Sequence, residues 1–423
     1  MQHVAARAYV SGMTVEGIRG ERLLSSGERF SAKPGFFARL FAPGFRKIID
    51  RVDEGLETGS LLAHLPDGST RMLGGRAPGF DVEVELRDWR ALLRLATGGA
   101  IGWFQGYEAG EWEANDHAIL FALFGANART LGDTARSSGP FKWASQVGHW
   151  LNRNNRSGSA RNISTHYDLG NDFYGAWLDD SMSYSSALGL TDGNLPAAQK
   201  RKLEGISQRL GEPETVLEIG CGWGALAEHL SGKGAKVTAI SLSDQQLTWA
   251  KAHTSPEIEY RHQDYRDVTG TFDAIASVEM VEALGREYWG TFMDCIARSL
   301  KPGGRAAIQY ISIADDLFET YAGTVDFIQA YVFPGGLLIK TSEFRKLAQE
   351  RGLEWQSQHD FGRDYAETLK LWHEAFNRAV EDGRLPEGFD ERFIRLWRFY
   401  LSYCEGGFRA GSIDVHQVTL IKN

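Results

Sequence analysis

The sequence predicts an α/β protein: a doubly wound, Rossmann-like sheet preceded by a smaller α+β domain. Three observations predict it. From Glu214 onward, apolar strand-like runs alternate with helix-like stretches. The first of those strands runs into a glycine-rich turn, "VLEIGCGWG" at 216–224. The first 135 residues carry instead a hairpin signal and a strand of alternating polarity.

Composition narrows the class. A chain of 423 residues exceeds one ordinary domain, and 43% hydrophobic residues supply a sizeable core. A net charge of −9 argues against a general nucleic-acid binder. Three dispersed cysteines (Cys221, Cys295, Cys404) form neither a disulfide framework nor a metal spacing, which fits a reducing cytoplasmic location. The N-terminal stretch lacks the apolar run of a signal peptide, and no segment reaches membrane-spanning length, so any membrane contact is expected to be peripheral.

The elements follow in order. Residues 36–52 mix Phe36, Phe37, Phe41 and Phe45 with Arg39, Arg46 and Lys47. This pattern suits a core helix with a basic edge, or a helix seated on anionic headgroups. Asp67-Gly68 sits between two apolar runs, a hairpin signal. "FDVEVEL" alternates as a half-buried strand should. Residues 1–135 are thus one domain. Residues 136–162 are a linker with a helix near 141–154 and a polar tail. Residues 163–423 are the second domain. It opens on "ISTHYDLGNDFYGAWLDDSMSYSSALG", which lacks core periodicity and is expected to form a lid and wall. Five strand patterns then alternate with helices as far as "RAAIQYISI". Residues 315–340 look inserted, and "SIDVHQVTLIKN" is expected at the sheet edge.

The glycine turn allows tight backbone geometry and close ligand approach, with free N–H groups at the following helix. Its spacing is E-x-G-x-G-x-G, with Glu218 leading Gly220 and Gly222. Gln263-Asp264 follows the third strand, and "LKPGG" precedes the fifth. Together these resemble class I S-adenosylmethionine-dependent methyltransferases. One departure is that the second strand ends in "AISLSDQQ", with no acid where ribose is often bound.

Further motifs occur in order: "HYDLGNDFYGAWLDDSMSYSSA", "SVEMVEALG", "YVFPGGLL", "FGRDYAETLKLWHEAF" and "YCEGGFRAGSIDVHQVTL". They resemble the cyclopropane-fatty-acyl-phospholipid synthase family, which includes the mycolic acid cyclopropane synthases. The likeness is dense from about residue 145 and looser before residue 140. It implies methyl transfer from S-adenosylmethionine to the cis double bond of an unsaturated phospholipid acyl chain. It also implies peripheral contact with the inner face of the cytoplasmic membrane, and allows a homodimer. By this resemblance Tyr184, Ser185, Glu218, Gly220 and Gly222 touch the cofactor. Ser241, Leu242 and Gln246 lie on its ribose side, and Gln263 and Asp264 on its adenine side. Glu282 and Tyr365 match active-site residues that help hold a bicarbonate base.

This chain departs from that pattern. Ser186 stands where the family has cysteine, Gln309 where it has histidine, and Glu279 where many members have glycine. Ser and Gln can hydrogen-bond an anion, but Gln309 cannot take a proton. The bicarbonate pocket is therefore expected to be altered or absent, with Glu279 or Glu282 carrying proton transfer. The product follows from which proton leaves. Loss from the new methyl closes a cyclopropane; loss from the chain leaves a methyl-branched or methylene-bearing chain, the outcome favoured here. Each residue also has a plainer reading. Tyr365 suits a helix core, Glu282 a helix N-terminus, Gln309 a buried strand, and Cys221 a small packing site. His149, His229 and His416 suit structural or surface roles. A lipid-binding protein with a degenerate methyltransferase fold is the contrasting class, and the intact glycine turn speaks against it.

Overall fold

A computed structural model of the chain describes residues 42–132 and 169–423. The expected linker helix and Phe36, Phe37, Arg39 and Phe41 lie outside the described residues.

The N-terminal unit begins with helix α1 (Ala42–Gly55) and strands β1 (Ser60–His64), β2 (Thr70–Gly74) and β3 (Asp81–Leu86). Helix α2 (Arg90–Glu108), strand β4 (Trp112–Ala114), helix α3 (His117–Ala126) and the single turn α4 (Ala128–Leu131) complete it. The sheet order is β2-β1-β3-β4. The hairpin forms where Asp67-Gly68 placed it, with the Asp67 carboxylate accepting from the Ser69 amide at 3.0 Å. Strand β3 alternates buried and exposed residues as its sequence requires.

The second unit holds helices α5 (Asn171–Gly175), α6 (Leu195–Leu210), α7 (Ala225–Ser231), α8 (Asp244–His253), α9 (Arg286–Ser299), α10 (Phe318–Ala322), α11 (Thr341–Gln349), α12 (Gly362–Glu381) and α13 (Glu391–Ala410). A π-helical turn spans Ile328–Val332. Its strands are β5 (Thr215–Ile219), β6 (Lys236–Ser241), β7 (Glu259–His262), β8 (Phe272–Val278), β9 (Leu300–Ile313), β10 (Leu353–Asp360) and β11 (Ile413–Lys422). They form one sheet in the order β10-β11-β9-β8-β5-β6-β7. The five strands from β5 to β9 are parallel, and β11 runs antiparallel to β9 and β10.

Two expectations need correction. The "SIDVHQVTLIKN" strand is not at the sheet edge; β11 lies inside, and β10 forms the edge. Its apolar residues Val415, Val418 and Leu420 are buried, which an edge position would not require. The segment from residue 163 is also less of a lid than expected. Within its described part, Phe173, Tyr174 and Trp177 are buried in the largest core cluster. They pack edge-on against Trp397, with Phe173 also meeting Phe393 at 5.5 Å.

That cluster joins both units, from Phe45 and Trp112 to Trp372 and Phe399. Helix α13 lies along α3, and glycines allow the close approach. A Cβ on Gly406 would sit 2.4 Å from the Phe121 Cβ and 2.8 Å from the Ala118 carbonyl oxygen. Arg395 reinforces the seam, lying 3.9 Å from the Tyr107 ring centroid and donating to the Tyr107 carbonyl. Replacing a helical glycine by alanine ordinarily gains about 1 kcal/mol. Overpacking a close contact costs roughly 1–3 kcal/mol, and here the clashing atoms are backbone or backbone-bound. Gly406→Ala is therefore expected to lower the thermal unfolding midpoint by about 1–3 °C in calorimetry; a raised midpoint would refute the close helix packing.

Candidate active site

A cavity of about 210 Å³ opens at the C-terminal ends of the parallel strands β5 to β8. This is where an open α/β sheet places its ligand. Every residue assigned to the cofactor from sequence lines it, from Tyr184 and Ser185 through the glycine turn to Gln263 and Asp264. Gly220, Gly222 and Gly224 all have left-handed backbone. At Gly224 any side chain is excluded, because a Cβ would meet the Tyr260 hydroxyl at 2.3 Å.

The residues present fit S-adenosylmethionine. Glu218 is buried at the turn, and its Oε2 has no hydrogen-bond partner. Burial pushes its pKa up to about 8, opposed by the Lys202 ammonium. Lys202, also buried, donates to the Ser185 hydroxyl at 2.8 Å, and desolvation lowers its pKa to about 8. An amino-acid end carrying both an ammonium and a carboxylate matches this acid and this base. On the other side, Ser241 Oγ accepts from the Ser243 amide, and Gln246 begins the turn of α8 beside it. Asp264 takes Arg266 in a two-pronged ion pair, and the Gln263 amide donates to the Asp267 carbonyl at 2.9 Å.

A second, larger cavity of about 430 Å³ lies between α2, α3, α12, α13 and the inserted segment. Its walls are mostly apolar and include Leu95, Trp103, Phe121 and Leu369. Tyr184, Glu279, Ala283, Phe333 and Gly336 line both cavities, so the two meet there.

Glu279 stands at that junction with a left-handed backbone, φ +50°. For a residue with a Cβ this costs roughly 1–2 kcal/mol. Three donors converge on its carboxylate. The Ser186 amide and Gln309 Nε2 reach Oε1 at 2.9 and 2.8 Å, and the Tyr365 hydroxyl reaches Oε2 at 2.7 Å. Each such bond to a charged group contributes roughly 1.5–3 kcal/mol, so together they outweigh the backbone strain. Enclosure raises the pKa of Glu279, while these three donors and the Lys202 ammonium oppose the rise. Glu282 is placed differently. Its Oε1 accepts from the Ile311 amide, and its Oε2 is enclosed without a partner. Burial first and the Glu279 charge second push it up to about 8, which favours the protonated form of Glu282 near neutral pH.

Two assignments change. Ser186 acts through its backbone N–H; its hydroxyl turns away to the Ala187 carbonyl at 2.9 Å. Gln309 lines neither cavity but stands behind Glu279. The residues that the resemblance set around a bicarbonate are engaged with one another: the Ser186 amide, Gln309 and Tyr365 all donate to Glu279, and Glu282 accepts from the Ile311 amide. Tyr365 fills two roles, stacking on Phe408 at 4.5 Å while its hydroxyl holds Glu279. Cys221 and His416 keep the plainer reading. Cys221 is buried in the core, and the His416 ring nitrogens meet Asp360 and Ser312.

Sequence reasoning missed Lys202, Tyr400 and Gln417. Tyr400 shares a 2.8 Å hydroxyl contact with Tyr184. The lysine gave a weak signal: in "AAQKRKLEG" it sits on the buried side of a helix, where a lysine needs a partner. Also unforeseen was the anchoring of the 186–190 backbone by α12, through Thr368 to Ala187 and Asp364 to Gly189.

Comparison with known proteins gives a consistent picture. A family model described as mycolic acid cyclopropane synthetase matches residues 154–418. The tuberculostearic acid methyltransferase UfaA1 of Mycobacterium tuberculosis is 35% identical over 357 residues, covering 78% of this chain and 80% of that protein. The cyclopropane-fatty-acyl-phospholipid synthase of Escherichia coli is 32% identical over 360 residues, covering 82% of this chain and 88% of that protein. Among solved structures, the mycolic acid cyclopropane synthase CmaA1 complexed with SAH and CTAB superposes with a TM-score of 0.58 at 26% identity, over 62% of this chain and 98% of that one.

Glu218→Ala is expected to weaken S-adenosylhomocysteine binding about ten- to a hundredfold in calorimetric titration, the value of one charge-assisted hydrogen bond. Unchanged affinity would remove Glu218 from the cofactor contacts.

Proposed function

Since this chain belongs to the mycolic acid cyclopropane synthetase family, we propose that it methylates the double bond of an unsaturated phospholipid acyl chain, with Glu279 as the built-in base and a methyl-branched unsaturated chain as product. It is an S-adenosylmethionine-dependent lipid methyltransferase by family. The observation that carries the proposal is the Glu279 carboxylate, held by three donors in the wall shared by both cavities.

S-adenosylmethionine supplies an electrophilic methyl on a sulfonium. The chain's own residues do the rest. The apolar walls of the larger cavity keep water from the carbocation that methylation leaves on the acyl chain. The rings of Tyr184, Phe333 and Tyr400 present π density at or beside the junction. Three donors and the Lys202 ammonium favour the ionised form of Glu279 against the enclosure that raises its pKa, and the ionised carboxylate is the form that accepts a proton. A proton next to a carbocation is so acidic that the base needs position and charge more than basicity.

A tethered carboxylate also bears on the product. It is fixed at the end of β8 and lines the larger cavity, which in this reading takes the acyl chain and the carbons beside the cation. Removal of a chain proton leaves an alkene bearing the new methyl. Bicarbonate has no place in this reading, since its expected donors are already engaged. The likeness to the Escherichia coli synthase favours the alternative, ring closure by loss of a proton from the methyl. Mass spectrometry and NMR of lipids from defined unsaturated phospholipids decide between them; a cyclopropane as sole product overturns the branched reading.

We further infer that the enzyme works as a peripheral protein on the cytoplasmic membrane surface. The substrate chain must leave a bilayer to reach the junction, and α1 exposes Arg46 and Lys47 beside the buried Phe45 and Ile49. Among the described residues no helix is long and apolar enough to cross a membrane. Charge reversal at Arg46 and Lys47 should weaken co-sedimentation with anionic liposomes; binding that ignores both charge and lipid composition would refute this use of α1.

Glu279→Gln should lower kcat at least a hundredfold while S-adenosylhomocysteine still binds. Glu282→Gln copies the neutral acid and should stay within about tenfold of wild type. The reverse ranking would move the base to Glu282. Because Glu279 must be ionised and its pKa is raised, kcat should fall as the pH drops through a value above the ordinary glutamate range.

A further inference from the structure

We propose that Arg209, Gln417 and Gln309 form a one-way hydrogen-bond chain that locks a donor onto the Glu279 carboxylate, with Arg209 and Gln417 as positioning residues. This rests on the reading of Glu279 as the base.

The direction of the chain follows from its first member. A guanidinium only donates. Arg209 Nε donates to Gln417 Oε1 at 3.3 Å, which fixes which end of that amide is oxygen. Gln417 Nε2 then faces Gln309 Oε1 at 3.0 Å. Gln309 Nε2 in turn faces Glu279 Oε1 at 2.8 Å. The second N–H of each amide agrees with this direction. Gln417 Nε2 also points to the Lys202 carbonyl and Gln309 Nε2 to the Ser186 carbonyl, each at 3.5 Å. Reversing Gln309 would set its oxygen against a carboxylate and a carbonyl together, and neither can donate. The chain carries no proton. It sets the polarity of Gln309.

Arg209 has no evident structural need for its charge. It is half-buried, and its hydrogen bonds among the described residues reach no carboxylate. Its bonds go to neutral acceptors: the Ser357 carbonyl, the Thr419 hydroxyl at 3.2 Å and Gln417. Burying a cation without a counter-charge is costly. The bond from Arg209 to Gln417 instead places it at the head of the line of amides that ends on Glu279.

The fold builds this line deliberately. The antiparallel register of β9 and β11 sets Gln309 directly opposite Gln417. Helix α6 carries Gly205 beside them, where a Cβ would lie 3.1 Å from Gln417 Oε1. Both glutamines are essentially without solvent exposure, so the amides cannot find water instead.

Other groups also act on Glu279: Lys202 from α6, the Tyr365 hydroxyl from α12 with Tyr184 beyond it, the Ser186 amide, and neutral Glu282. None of them contacts Arg209 or Gln417 through a side chain, so substitutions there leave these groups in place.

The test is the pH profile of kcat, with S-adenosylhomocysteine affinity and thermal midpoint as controls. Gln417→Met keeps the length, adds no charge and removes the donor to Gln309. Its acid limb should move up by about one pH unit, so kcat on that limb falls roughly tenfold while KM holds. Arg209→Met should move the limb the same way by less, and Arg209→Lys should restore it. If Gln417→Met fails to fold, the Arg209 pair carries the same comparison from the rim. A wild-type acid limb in the folded variants, with Glu279→Gln inactive, overturns the chain. An active Glu279→Gln overturns the base itself, which is a separate failure.

Discussion

A carboxylate enclosed beside an apolar cavity must be hydrogen-bonded or give up its charge. Four parts of the chain meet on Glu279 and favour its ionised form against burial. The segment before α6 brings the Ser186 amide, β9 brings Gln309, α12 brings Tyr365, and the turn after β8 brings the glutamate itself in a left-handed conformation. The anchoring of residues 186–190 by Thr368 and Asp364, and the insertion of β11 beside β9, serve the same small volume.

Around that carboxylate the enclosed charges are arranged to balance. Glu218 and Lys202 face the smaller cavity and oppose each other. Glu282 is pushed into its neutral form by burial and by the charge of Glu279. The Glu279 carboxylate, faced by the Lys202 ammonium, is the acid placed where the two cavities meet. A site that must accept first a sulfonium and then a carbocation needs one counter-charge in place throughout. It also needs dry walls, and these come from both units. The N-terminal helices and the last two helices share one aromatic core, so the larger cavity exists only because the units are fused.

The sequence left different amounts legible at different places. The glycine turn, the alternating strands and the hairpin at Asp67-Gly68 are local signals, and each appears where it was expected. Glu279 stood out as an acid at a position usually occupied by glycine, and the positive φ explains why glycine suits it. Ser186 misled, because sequence shows side chains and the working group is a backbone amide. Gln417 and Tyr400 gave no signal of their own. Their roles depend on register and on helix crossing, which join residues more than a hundred positions apart.

By itself the sequence determined the sheet-and-helix order, the cofactor turn and the family, because these rest on periodicity, glycine geometry and ordered motifs. Only the tertiary structure decided that β11 lies inside the sheet, that the anion-binding donors are spent on the protein's own glutamate, and that Arg209 reaches it through two amides. The physical reason is that hydrogen-bond direction and counter-charge are settled by which groups meet in space, and the chain order does not state that.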